Sequence, residues 1–315
     1  ILGFTLFLTL MSFIVGLCEY IFGVHLHSLI DLSNFNSVYN NLDPEGNYDL
    51  TWTFESQNTS PRYASFFADP LEFSASLILF LSISLWYFLH SKSLNNKLLF
   101  LVLIFIIMLS FLLAFSRASI FSSLILFFIA FLLTNRLKLI GYCILFVLIF
   151  LSYIFYFSSD DLWYLIEDTI TFQSTSSLGH LLEWIQGLLS IYENPLGIGL
   201  AMSGNAGGVD QIIKVGGENQ FLIYGVQMGI ISILLYFLIL TISIWNSFLV
   251  YLQSPNRDEK SIGFITGLTK FGLLIPLLTA NAELYLFVAL FSWYLVGQVE
   301  SIKFINKARL NNFYN

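Results

Sequence analysis

Charge is what this 315-residue chain has least of: Asp, Glu, Lys and Arg make up 10% of it, against about 25% in an average soluble domain. So sparse a set cannot cover a water-facing surface, which excludes a soluble globular protein. Cysteine is nearly absent too. Cys18 and Cys143 both lie in apolar runs, so no disulfide framework exists and the two read as small apolar fillers. The four histidines show no metal-ligand spacing; no metal, no organic cofactor and no nucleic-acid partner is expected. Tandem repeats and a separate soluble domain are also lacking.

What is present is apolar length. Hydrophobic residues make up 57% of the chain, with 33 Phe among them, and a membrane-spanning helix needs roughly 20 consecutive apolar residues. Eight runs qualify or nearly do: 3–24, 71–89, 98–115, 118–134, 139–157, 220–250, 262–280 and 284–302. The expected fold is all-α, a polytopic membrane protein of about eight spans forming one transmembrane domain over 1–315. The sequence opens at Ile1 inside an apolar run, and further spans are expected ahead of it. Within the span 262–280, Gly263 and Gly267 suit close helix contact, Pro276 should kink the helix, and Lys270 should face the bundle interior.

Orientation follows from the basic residues in the connections. Under alternating topology Lys92, Lys97, Arg136, Lys138, Arg257, Lys260, Lys303, Lys307 and Arg309 fall on one side, and only Arg62, Arg117 and Lys214 on the other. The first side is therefore cytoplasmic. The loops 25–70 and 158–217 lie outside, together with the tight turn that carries Arg117. His25 and His27 read as plain loop residues, and Asp160, Asp161, Glu167 and Asp168 as a solvated acidic edge.

The organising stretch is 178–229, polar and rich in glycine. Leu178, Leu181, Leu182, Ile185, Leu188, Leu189 and Tyr192 recur at helical spacing around His180 and Glu183, the pattern of a helix lying on a membrane surface. Asn194-Pro195 then ends it, and Gly197 and Gly199 supply backbone free to approach a ligand. Outward arginines at 62 and 117 present rigid donor forks suited to phosphoryl oxygens. Together they suggest a dianionic ligand such as a lipid-linked pyrophosphate. A transferase acting on it needs a base for the attacking hydroxyl, and Glu218 at the mouth of the next span is the candidate. His180 is an alternative base or a substrate contact; Asn219, Lys214, Gly197 and Gly199 complete the expected substrate-binding set.

Four segments, in order over 62–245, resemble the O-antigen ligase and polymerase family of bacterial membrane proteins. They are RYASFFADPLEFSASLI, AFSRASIFSSLILFFIAFLL, NPLGIGL, and ENQFLIYGVQMGIISILLYFLIL. The resemblance implies a GT-C-like, metal-independent, inverting glycosyltransferase. Its donor would be an undecaprenyl-pyrophosphate-linked glycan at the outer face of the inner membrane. It also implies that Arg62 and Arg117 hold the pyrophosphate, that Glu218 is the base and that His180 contacts donor or acceptor. Family ligases carry a His-Asn pair where this chain has Glu218-Asn219, and often an Arg where it has His180. Those departures favour polymerisation of repeat units of a surface polysaccharide, with membrane lipid and a chain-length regulator as further candidate partners. The alternatives are an O-antigen-type ligase and, from another class, a transporter or flippase for a polyprenyl-linked substrate.

Overall fold

A computed structural model describes residues 2–32, 50–55, 60–157, 175–204, 215 and 217–314. Among these, all regular structure is helical, and extended pairing is limited to a bridge between Glu55 and Pro61. The long helices are α1 (Leu2–Phe22), α2 (Pro70–His90), α3 (Leu94–Ala114), α4 (Arg117–Leu133), α5 (Leu137–Phe157), α6 (Thr175–Glu193), α7 (Gln220–Met228), α8 (Ile230–Gln253), α9 (Arg257–Leu273) and α10 (Leu286–Tyr314). Among the described residues, five segments are long and apolar enough to cross a membrane: Gly3–Phe22, Pro70–His90, Leu94–Ala114, Ile230–Gln253 and Arg257–Thr279. Helix α4 is apolar but shorter. This is a multi-pass helical membrane protein.

Helix α2 is the axis of the bundle, packed by α3, α4 and α9. Its sequence is apolar on every face, and Phe73, Leu77, Ile78, Phe80 and Leu81 lose all contact with solvent. The serines in it are buried as well. Ser74, Ser76 and Ser82 each donate their hydroxyl to a carbonyl three or four residues back, which satisfies those groups away from water.

The second closely packed pair is α8 with α9. A Cβ on Gly263 would stand 2.6 Å from the Ser247 carbonyl oxygen, and one on Gly267 would meet the Phe248 ring. The two glycines thus let these helices touch backbone to backbone, as their spacing predicts. Lys270, one turn on, is buried. Its Nζ lies 3.4 Å from the centre of the Trp293 ring and 3.8 Å from Glu283 Oε1. Glu283 in turn accepts from Tyr236 Oη and Trp293 Nε1, both at 2.8 Å. The inward lysine is therefore held by a carboxylate.

Two expected spans are interrupted. The run 220–250 is not one helix: Gly229 (φ 86°, ψ 177°) separates α7 from α8. That conformation is essentially restricted to glycine. In it the Ile230 amide leaves the helical ladder and donates to the Pro195 carbonyl at 3.0 Å. Helix α9 stops at Leu273, and Pro276 opens a separate turn, Pro276–Thr279.

Candidate functional site

At one end of the bundle the chain is tied into a fixed frame. Helix α3 ends on Phe115 in the left-handed conformation (φ 45°), Ser116 is extended, and Arg117 is the first residue of α4. The segment before α2 runs across this turn, with the Tyr63 amide on the Leu113 carbonyl at 3.1 Å and the Arg62 amide on Phe54 at 2.8 Å. Buried Glu19 grips the same segment, taking the Ser65 and Leu26 amides, each at 2.8 Å. His27 Nε2 donates to the Phe67 carbonyl at 2.6 Å. The sequence reading of His25 and His27 as plain loop residues is corrected here. Both are buried against Phe54, and burial holds both imidazoles below their usual range. These ties place Arg62 beside Arg117.

Asp69 caps α2 by accepting the Glu72 amide at 2.7 Å, with Pro70 at the first helical position. Glu72 closes the box, accepting the Ala68 amide at 2.9 Å and the Phe287 amide at 3.3 Å. The Asp69 carboxyl also hydrogen-bonds the Tyr285 side chain. Part of the Asp69 residue reaches solvent, but its carboxyl is enclosed, and burial pushes its pKa up from 3.8 to about 6.

From the other side, α6 delivers His180 and Glu183 and the start of α7 delivers Glu218. His180 Nδ1 lies 2.6 Å from Glu218 Oε2, a contact close enough for an ion pair but without the alignment of a hydrogen bond. Helix α6 docks on α7 through Gly187 and Ile191. Leu178, Leu181, Leu182, Ile185, Leu188, Leu189 and Tyr192 all remain exposed, the apolar face that the spacing predicts.

The electrostatics join the two sides. Burial lowers the Arg62 pKa first, the neighbouring Arg117 lowers it further, and Glu218 and Asp69 act in the opposite sense. Arg62 Nε is buried without a hydrogen-bond partner among the described residues. Arg62 is therefore within electrostatic reach of Arg117 and Glu218, and Glu218 is paired with His180. Two partly buried guanidinium groups within electrostatic reach repel, and an anion bound by both relieves that cost.

Other expected contacts serve the backbone. Asn219 is the N-cap of α7, its Oδ1 accepting the Phe221 and Leu222 amides at 3.0 and 3.3 Å. Gly197 (φ 86°) is packed against the Gln227–Gly229 backbone, and the Ile198 and Gly199 amides donate to Val226 and Gln227. The close approach Gly197 permits is to the chain's own helix break, while Gly199 is required for its positive φ of 117°. Lys214 and the acidic residues 160, 161, 167 and 168 lie outside the described residues. Asp69, Glu72, Glu183 and Tyr285 were missed. The Asp-Pro-x-Glu capping pattern and the three-residue step from His180 to Glu183 were legible signals; nothing local marks Tyr285.

One trio could hold a cation. Ligand atoms of His180, Glu183 and Glu218 lie within 4.8 Å of one another, and an imidazole with two carboxylates suits several divalent metals. Glu218 cannot serve as ligand and free base at once, so the two uses are exclusive. Comparison with protein families, curated proteins and solved structures finds no match to this chain.

Proposed function

We propose that this multi-pass membrane protein binds a diphosphate-bearing lipid at the end of the bundle where Arg62 meets Arg117. More specifically, we read it as a metal-independent, inverting glycosyltransferase of about eight spans and GT-C-like type. It would polymerise undecaprenyl-pyrophosphate-linked repeat units of a surface polysaccharide at the outer face of a bacterial inner membrane. The single observation that carries the reading is the convergence of Arg62, Arg117, Glu218 and His180 from four separate places in the chain. The two arginines grip the diphosphate and stabilise the charge that develops as it leaves. Glu218, paired with His180, takes the proton of the attacking sugar hydroxyl. The exposed leucine face of α6 lies in the lipid headgroup layer and brings the site to the height of a prenyl diphosphate.

The transporter alternative draws no support from the interior. Lys270, the deep charge, is enclosed by Glu283, Trp293 and Tyr236; it is a fixed structural pair and not a stepping stone.

The test is the surface glycan of cells lacking this chain. Single repeat units on an intact acceptor support polymerisation. Accumulated lipid-linked polymer indicates a ligase instead, and an unchanged glycan sinks both.

A further inference from the structure

The opposite end of the bundle contains a second feature that the reaction does not use. A cavity of about 690 Å³ opens between α1, the end of α2, the start of α9 and α10, within the roughly 300–1,000 Å³ of ligand pockets. Its lining has two ends. Trp86, Ile262, Ile265 and Leu295 give it apolar walls, with Ser261, Tyr294 and Gln298 among them, while Arg257 and Asp258 stand at the exposed start of α9. Ile265 lies eight residues beyond Arg257 on α9, which places it about 12 Å further along the span. Arg257 is exposed, and its Nη2 donates to the His90 carbonyl at 3.0 Å. Arg136 and Lys260 come within electrostatic reach of the same His90 ring. Arg257 is thus the cation that lines the cavity, beside the carboxylate of Asp258, while Arg136 and Lys260 add positive charge within reach of the neighbouring His90 and Glu259 follows one residue on. Glu259 is engaged elsewhere, accepting from Asn306 at 3.2 Å.

An apolar slot along a membrane span, with Arg257 at its rim and Arg136 and Lys260 close by, has the two-part chemistry of one ligand class. We infer that this cavity is a binding site for an anionic glycerophospholipid, one acyl chain entering toward Ile265 and the phosphate resting by Arg257. Basic pockets between spanning helices recognise anionic headgroups by this same division of labour. The inference is independent of the proposed glycosyl transfer, since none of its residues belongs to that site.

The test is native mass spectrometry of the full chain released from nanodiscs of equal phosphatidylglycerol and phosphatidylcholine. Wild type should retain phosphatidylglycerol at least about fivefold over phosphatidylcholine. Arg257→Gln with Lys260→Gln, both at the helix end near solvent, should erase that preference and leave total lipid retention unchanged. Ile265→Trp, which fills the depth, should reduce retention of both lipids; monodisperse gel filtration verifies that this variant is folded. Equal retention of the two lipids by wild type overturns the inference. So does undiminished retention by folded Ile265→Trp, or displacement of the bound lipid by an equimolar polyprenyl phosphate.

Discussion

The pairing of Arg62 with Arg117 makes a prediction with a sign that a structural role would not give. Arg117→Gln removes one of two repelling guanidinium groups while keeping a polar side chain at the first position of α4. A hydrogen bond to a charged group contributes about 1.5–3 kcal/mol, so losing one grip on a diphosphate should lower kcat/KM roughly ten- to 150-fold. Burial and the Arg117 charge both act against Arg62 keeping its own charge. Removing Arg117 therefore relieves Arg62, and the melting temperature in detergent should move by no more than the shift that about 0.5 kcal/mol produces. Arg62→Gln should cost activity to a similar degree. Because both groups grip one ligand, the double variant should lose less than the product of the two single losses. The assay is elongation of a lipid-linked oligosaccharide by purified protein in vesicles, read as a ladder on a gel. Turnover of Arg117→Gln within about twofold of wild type would refute the reasoning, and so would loss of activity in step with loss of folding.

Glu218→Gln keeps the volume and removes the base, so kcat should fall by at least about a hundredfold while donor binding, followed by equilibrium titration, changes little. Treatment with a chelator should leave wild-type turnover intact; a loss restored by a divalent metal would instead assign the His180–Glu183–Glu218 trio to a cation. The Asp69 carboxyl, pushed up to about 6 by burial, binds its proton more tightly in the folded state than in the unfolded chain. The stability it contributes is thus fully present below pH 3.8, its ordinary value, and lost as pH rises through about 6. Melting temperatures measured from pH 4 to 8 should show wild type gaining on Asp69→Asn as pH falls, and parallel curves would remove Asp69 from this role. Gly229→Ala forces a side chain into a conformation that costs about 1–3 kcal/mol and into the Pro195 carbonyl, so it should unfold or strongly destabilise the protein. Gly179→Ala, with open space around it, should be neutral or slightly stabilising in the same melt.

How much of the site could be read in advance differs residue by residue. Arg117 was conspicuous because a two-residue turn between apolar runs has no need of a cation, and Arg62 because it stands against the positive-inside bias. The apolar face of α6 was legible from its spacing alone. Gly197 and Gly199 were visible as conformational freedom, but their use was not. A glycine's permissiveness says that something comes close or that the backbone turns unusually, and only the fold shows that Gly197 lies against the backbone at Gln227 and Gly229 while Gly199 takes a positive φ. Asn219 was visible as a polar group at a helix mouth, where a cap and a ligand contact look alike in sequence. The break at Gly229 was hidden because the residues on both sides are apolar, and hydropathy does not register which carbonyl an amide chooses.

The sequence by itself determined the membrane class and where most of the apolar helices lie, though not the breaks at Gly229 and after Leu273. Both follow from local quantities: how apolar a run of residues is and how long it lasts, in a solvent that leaves the backbone few choices but a helix. It also determined which cations stand apart from the rest. Tertiary structure alone decided that Arg62 comes within reach of Arg117 and Glu218, that Glu218 pairs with His180, that Lys270 finds Glu283, and that a cavity with Arg257 at its rim opens at the other end. Those are contacts between residues far apart in the chain, fixed by how α2 and α9 bury their neighbours, and no window of sequence holds the information that sets them.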